Sequence, residues 1–363
     1  MKPRSIATVA ACGVAGVAVG LAAATGIVYR KQIKSAASLK RLTDYADGYD
    51  LYAIDIAYDY DLDRVIAVDV RDDQAYIDAV VAQVLPGVPA HVQAPQFACS
   101  AFVAVDAEGR VRTGRNYDFK DDTSTLLVRN HPRDGYASIG LAALNNLGAN
   151  TPLDSVAGRA AALMGPFAQL DGVNECGVSI AVLTLDSKPC DQDTQRPVIN
   201  TSLAIRLVLD RAATTQEAVD LLSAYDMHAM AGRDYHFFIN DAAGDARVVE
   251  WDPRDPDRAF KATPVRQVTN FYACYGDEVL PNQKNDELGH GKERAVAIAD
   301  VLDAHAGAQD EAVAWKALRA AAQEPNPEDI TSNTQWSVVF DNTEPAAAIT
   351  LRRHWGDVDA FAL

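Results

Sequence analysis

Cys99-Ser100-Ala101-Phe102-Val103-Ala104-Val105 is followed by Asp106-Ala107-Glu108-Gly109, then by Val111-Arg112-Thr113-Gly114-Arg115-Asn116-Tyr117-Asp118-Phe119. Two alternating runs around an Asp/Gly turn read as a β-hairpin. A hairpin of this length brings Arg115 and Asp118 back beside Cys99. A thiol, a guanidinium and a carboxylate then share one strand end. If the chain is cut before Cys99, the freed α-amine has an ordinary pKa near ~8, next to a thiol near ~8.5. Proteolysis would create a base beside a nucleophile.

The chain before Cys99 differs in style. Residues 50–64 are dense in Tyr and Asp, Gln74 to Val84 carries apolar residues at helical spacing, and Pro86, Pro89 and Pro95 precede Phe97-Ala98. Residues 38–98 are expected to be a prosegment that covers the site until cleavage, or else a small subdomain that is never removed. Further upstream, Met1-Lys2-Pro3-Arg4 precedes an uncharged run of 24 residues from Ile6 to Tyr29, long enough to cross a bilayer. Residues 1–37 read as an uncleaved anchor, or as a signal peptide with Ala22-Ala23-Ala24 at its cleavage site. Either reading takes the protein to a membrane, on the extracytoplasmic side, anchored or secreted. Residues 99–363 are expected to form the catalytic domain.

The 363 residues are 48% hydrophobic and 23% charged, an ordinary globular composition. The first 43 carry seven Lys/Arg and no Asp/Glu, which leaves 26 basic against 50 acidic groups in the rest. An acidic body argues against nucleic acid as a ligand, since phosphate binding needs a basic face. Cys12, Cys99, Cys176, Cys190 and Cys274 have no CxxC spacing, and no His pair has the HxxxH spacing of a helical metal site. The expectation is no metal and no cofactor.

The body reads as strands and helices without regular βαβ alternation. Leu126–Val128, Gly135–Leu141, Val178–Thr184 and Val265–Phe271 read as strands, with Asp171-Gly172-Val173-Asn174-Glu175-Cys176-Gly177 as a turn. Tyr235–Asn240 with Ala246–Trp251, and Trp336–Phe340 with Ala346–Leu351, read as hairpins. Helices are expected from Leu203 to Asp210, from Ala218 to Tyr225 after the capping box Thr214-Thr215-Gln216-Glu217, from Glu293 to Leu302 and from Glu311 to Ala322. The pattern is that of a layered α+β fold with antiparallel sheets under helices.

Five motifs in order carry a resemblance: Cys99-Ser100 heading a strand, Gly-Arg-Asn-Tyr-Asp-Phe at 114–119, Asp-Gly-Val-Asn-Glu-Cys-Gly at 171–177, Val268-Thr269-Asn270, and Thr334-Gln335-Trp336-Ser337. Over residues 45–363 the chain resembles the linear amide C–N hydrolases of the choloylglycine hydrolase and penicillin V acylase family. Its prosegment is similar to that of acid ceramidase and the N-acylethanolamine-hydrolysing acid amidase. The resemblance implies a four-layer αββα amino-terminal-nucleophile fold, with two stacked antiparallel sheets, and autoproteolysis at Ala98–Cys99. It makes Cys99 the nucleophile, Arg115 the stabiliser of thiolate and substrate charge, and Asp118 the group that orients the α-ammonium. Asn270 would supply an oxyanion-hole donor, and Arg294 matches the distal arginine of the site. Bile salt hydrolases carry an Asn ten residues after the Asn of the Asn-Glu-x-Gly turn; here that position is Thr184.

The implied activity is hydrolysis of a linear non-peptide amide through a Cys99 thioester. The partner is a small N-acyl amide with a bile-salt-like, fatty-acyl or penicillin-like acyl half, and homo-oligomerisation is left open. Two alternatives stand: an acyltransferase of the same fold with an amine acceptor, and an unprocessed, membrane-tethered binding protein. A papain-like protease is disfavoured, because no Cys-Gly-Ser-Cys-Trp signature surrounds Cys99.

Overall fold

The computed structural model describes residues 29–68, 70–85, 98–149, 153, 155–282, 288–326 and 333–363. The expected anchor or signal run and the three prolines before Cys99 lie outside the described residues, apart from Tyr29. Among the described residues no helix is long and apolar enough to cross a membrane.

The hairpin predicted around Cys99 forms from Ala98–Val105 and Val111–Asp118, in antiparallel register from Ala98↔Asp118 to Val105↔Val111. It sits in a six-stranded sheet in the order Gln267–Val268, Ala98–Val105, Val111–Asp118, Thr334–Asp341, Ala346–Leu351, Asp359–Ala362. A nine-stranded sheet has the order Lys40–Arg41, Leu51–Ile56, Thr125–Asn130, Ser138–Ala143, Gln169–Asn174, Ser179–Leu185, Asp234–Asn240, Ala246–Trp251, Phe260–Pro264.

Strand alternation divides the hairpin's side chains between two layers. Phe102 and Ala104 face outward against the helices Lys292–Ala304 and Glu311–Ala321, where they join Ile298, Leu302 and Leu318 in one apolar cluster. Gly114 belongs to this face: a Cβ there would lie 2.2 Å from the Phe102 ring. Thr113 and Arg115 face inward to the nine-stranded sheet, where Thr113 Oγ1 and Ser179 Oγ hydrogen-bond across the sheets at 2.7 Å. The helix Thr201–Arg211 covers the outer face of that sheet, with Leu203, Leu207 and Leu209 buried. The layers are αββα, as expected.

Two features add detail to this picture. Among the described residues, every pair within the two large sheets is antiparallel except one: Leu51–Ile56, from the segment before Cys99, runs parallel to Thr125–Asn130. A separate two-stranded sheet pairs Val198–Asn200 with Asp226–His228, also in parallel. The segment before Cys99 also enters the core. Its strand extends the large sheet, and its helix Asp73–Val84 buries Tyr76, Ile77, Val80, Val81 and Val84 in the main core. Tyr58 Oη donates to Leu163 O at 2.5 Å and Tyr76 Oη to Phe167 O at 2.8 Å. Tyr60 Oη donates to Asp210, which is ion-paired with the fully buried Arg206 at 2.6 Å. Tyr58 and Tyr60, from the stretch of odd composition, and Tyr76 from the helix after it fasten the segment to the body.

Candidate active site

Asp171-Gly172 read as a turn, but both lie in the strand Gln169–Asn174, and the turn follows at Glu175–Gly177. This strand pairs with Ser179–Leu185 only from Val173↔Ser179 to Asp171↔Ala181. Past Ala181 the two separate, and side chains take over the freed carbonyls. Arg115 Nη2 donates to Val182 O at 3.1 Å, and Asn270 Nδ2 donates to Thr184 O at 2.8 Å. The split in the sheet is where the site is built.

Asn270 reaches it because the predicted strand Val265–Phe271 is shorter than expected. The ladder ends at Gln267–Val268, Thr269 Oγ1 turns to Gly291 O at 2.8 Å, and Asn270 leaves the sheet beside Cys99. Two glycines permit the crossing. A Cβ on Gly289 would lie 2.0 Å from Asn270 O, and one on Gly291 would lie 2.4 Å from Arg294 Nη2; their φ values are +111° and +88°.

The five residues singled out in the sequence converge. The Cys99 N–H donates to Asn270 Oδ1 at 2.8 Å. Arg294 Nη1 donates to Cys99 O at 2.5 Å, its Nη2 donates to Asn270 Oδ1 at 2.9 Å, and Nη1 stands 3.5 Å from Asp118 Oδ2. Asp118 also accepts from Thr334 Oγ1 at 2.6 Å and Gln323 Nε2 at 2.8 Å. The backbone N and O of Cys99 are thus each clamped by a side chain from another part of the chain.

Arg115 is fully buried, with Nε 2.7 Å from Asp171 Oδ2 and its guanidinium carbon 5.2 Å and 5.7 Å from the Tyr117 and Trp336 rings. Those rings stack on each other at 4.0 Å, and Trp336 Nε1 donates to Asp171 Oδ2 at 3.0 Å. Sequence reasoning missed Asp171. An Asp-Gly pair is a strong turn signal, but Gly172 serves another purpose: a Cβ there would meet Ile139 O at 2.7 Å and Leu209 Cδ1 at 2.9 Å.

Burial dominates the electrostatics. It pushes the Cys99 thiol up to about 11, against the pull of the Arg115 guanidinium and with a further push from Asp118. The thiol of the uncut chain is therefore neutral at pH 7. Burial also raises Asp118, opposed by Arg294, Thr334 and Gln323. Asp171 is raised to about 6 by burial, with Arg115 and the Trp336 N–H holding it back. His290 meets the site through its backbone, donating to Asn270 O at 2.7 Å, while its ring bonds Asp186. Among the described residues no cluster of His, Cys, Asp or Glu could hold a metal ion.

Penicillin V acylase from Agrobacterium tumefaciens resembles this structure with a TM-score of 0.52 and 21% identity, over 73% of this chain and 86% of that one. Two variants of the conjugated bile acid hydrolase from Clostridium perfringens resemble it with a TM-score of 0.55 and 15% identity, over 73% of this chain and 92% of theirs. The fold is that of the amino-terminal-nucleophile hydrolases. No curated protein matches the chain in sequence. A family model described as acyl-coenzyme A:6-aminopenicillanic acid acyl-transferase matches residues 105–354, starting six residues after Cys99. That match spans more than half of the 363 residues, and the chain belongs to this family of acyl-transferases and their choloylglycine hydrolase-type relatives.

Proposed function

We propose that the protein is an amidase that matures by cleavage at Ala98–Cys99 and hydrolyses a linear N-acyl amide through a Cys99 thioester. The observation that carries this reading is the convergence of Arg115, Asp118, Asn270 and Arg294 on Cys99 at the head of its strand. In maturation the Cys99 thiol attacks the Ala98 carbonyl, and the C–N bond breaks as the thiol proton passes to the Cys99 nitrogen and frees the α-amine. Water then breaks the thioester C–S bond to give the Ala98 carboxylate and the free thiol. A buried neutral thiol then needs a base, and the freed α-amine of Cys99 provides it.

The amine takes the thiol proton as sulfur bonds to the substrate carbonyl carbon. The tetrahedral oxyanion collapses, the C–N bond breaks, and the α-ammonium returns the proton to the departing amine. Water, activated by the same amine, breaks the C–S bond and frees the acid. Arg115 stabilises the thiolate character of the attack, and Asp118 with Arg294 fixes the amino-terminal residue.

Asn270 Nδ2 has two hydrogens. One is committed to Thr184 O at 2.8 Å; the other faces Thr184 Oγ1 at 3.3 Å, a long contact that an oxyanion can replace. Asn270→Ala should lower kcat by on the order of 10²–10³ with KM little changed. Thr184→Val, which keeps the shape and removes the hydroxyl, should cost about tenfold if Oγ1 is the second donor, and nothing if it is a bystander.

The test is amine release from penicillin V, glycine-conjugated cholate and N-palmitoylethanolamine by the processed protein. Turnover of at least one is expected, and none across this panel would contradict the amidase reading. The family model favours one second reading, acyl transfer to an amine acceptor. Adding a free amine separates the two: a transferase partitions the acyl group into a new amide, whereas a hydrolase releases the acid.

A further inference from the structure

The Arg115 guanidinium has few anchors for a buried cation. Nη2 is on Val182 O at 3.1 Å, Nε is ion-paired with Asp171 Oδ2 at 2.7 Å outside hydrogen-bond geometry, and Nη1 likewise has no hydrogen-bond partner among the described residues. The Tyr117 and Trp336 rings flank it but fix no N–H direction. Asp171 is fully buried and tied by its Oδ2 to the Trp336 indole.

We propose that Asp171 is a positioning residue, which in its ionised form holds the Arg115 guanidinium so that Nη1 is presented to Cys99 and the substrate. This rests on the reading of Cys99 as the nucleophile. A cation taken out of water costs several kcal/mol unless it is paired. Without Asp171, the remaining carboxylate that acts on Arg115 is Asp118, already committed to Arg294, Thr334 and Gln323. Arg115 would turn toward Asp118, taking its charge from the thiol and disturbing the residue that orients the amino terminus. Charged or ionisable groups reach Asp171 from one side. Arg115 and Tyr117 come from Val111–Asp118, with Cys99 and Asp118 beyond them. The flanking strands Ser138–Ala143 and Ser179–Leu185 contain no ionisable residue, and Thr334–Asp341 presents the Trp336 indole.

Asp171 loses its charge as the pH falls through about 6, which releases the hold on Arg115. Activity should therefore fall on the acid side with a midpoint near that value. The experiment follows penicillin V hydrolysis against pH, with arginine-selective ¹⁵N NMR as a readout that needs no turnover. Asp171→Asn should lower kcat about tenfold, leave KM within twofold and abolish that acid limb. Trp336→Phe keeps the ring but removes the N–H that stabilises the anion, so the limb should move about half a unit to higher pH. In the wild type the Arg115 Nε–H resonance should titrate with the same midpoint, and the titration should vanish in Asp171→Asn. If Asp171→Asn does not fold, Trp336→Phe decides through the shift of the NMR midpoint. An unchanged acid limb or an Arg115 resonance that ignores pH would overturn the proposal. Turnover that survives Cys99→Ala would instead overturn the nucleophile reading, while the NMR midpoint still decides the role of Asp171.

Discussion

Cys99→Ala is expected to give a single uncut chain with no measurable amide turnover. Both losses have one cause: the thiol is the attacking group in maturation and again in catalysis. The substitution removes one sulfur atom from a fully buried position whose backbone N–H and C=O are held by Asn270 and Arg294. Those clamps do not depend on the side chain, so the variant should fold with the wild-type melting temperature to within a few degrees. Cys99→Ser is the more exacting companion. A hydroxyl is a far poorer nucleophile here, because its proton is harder to remove than that of a thiol. Slow cleavage with turnover reduced by about a thousandfold or more is expected. An uncut Cys99→Ala chain with wild-type turnover would show that the chemistry lies elsewhere.

A chain that begins at Cys99, made without residues 1–98, is expected to be insoluble or to lack a cooperative melting transition. Leu51, Ile54 and Ile56 from the parallel strand, with Val65, Val80 and Val84 from the helices, are buried in the main core. Fully burying a side chain of this kind stabilises by about 1.5–3 kcal/mol, so these six contribute on the order of 10 kcal/mol. Domain stabilities are typically about 5–15 kcal/mol, and the loss consumes most of that margin. The truncation also bares the edge of Thr125–Asn130 and strips Tyr60 from the buried Arg206–Asp210 pair. Cleavage of the full-length chain should behave differently. The cut leaves these contacts in place, so the two pieces should co-purify and separate only under denaturing conditions. A stable, active protein beginning at Cys99 would contradict this account and restore the simple mask.

The parts of the fold that announced themselves in the sequence did so through local physics. The hairpins at 98–118 and 234–251 have strand-like runs around Gly- and Asp-bearing turns, and that at 334–351 turns at Asn342-Thr343-Glu344-Pro345. The Thr214 cap is present, with its Oγ1 accepting from the Glu217 N–H at 3.1 Å. Leu51–Ile56 gave no such signal, because five of its six residues are buried and a strand covered on both faces loses its alternation. Asp359–Ala362, a four-residue edge strand, was too short to stand out. In the site, Cys99, Arg115 and Asp118 were legible because one hairpin carries them. Asn270 and Arg294 came through the family pattern, and the structure brings both to Cys99. Asp171 was hidden because its significance is set by the opposite sheet: nothing local distinguishes a turn Asp-Gly from a strand Asp-Gly whose carboxylate meets Arg115 and Trp336.

The most direct test of the central claim is the mass of the denatured, catalytically active protein, with amino-terminal sequencing of its larger piece. The account predicts a fragment of residues 99–363 whose first residue is Cys99, accompanied after native purification by the upstream piece. A fully active preparation that contains only chains in which Cys99 is still bonded to Ala98 would contradict it, because such a chain has no free α-amine to serve as the base.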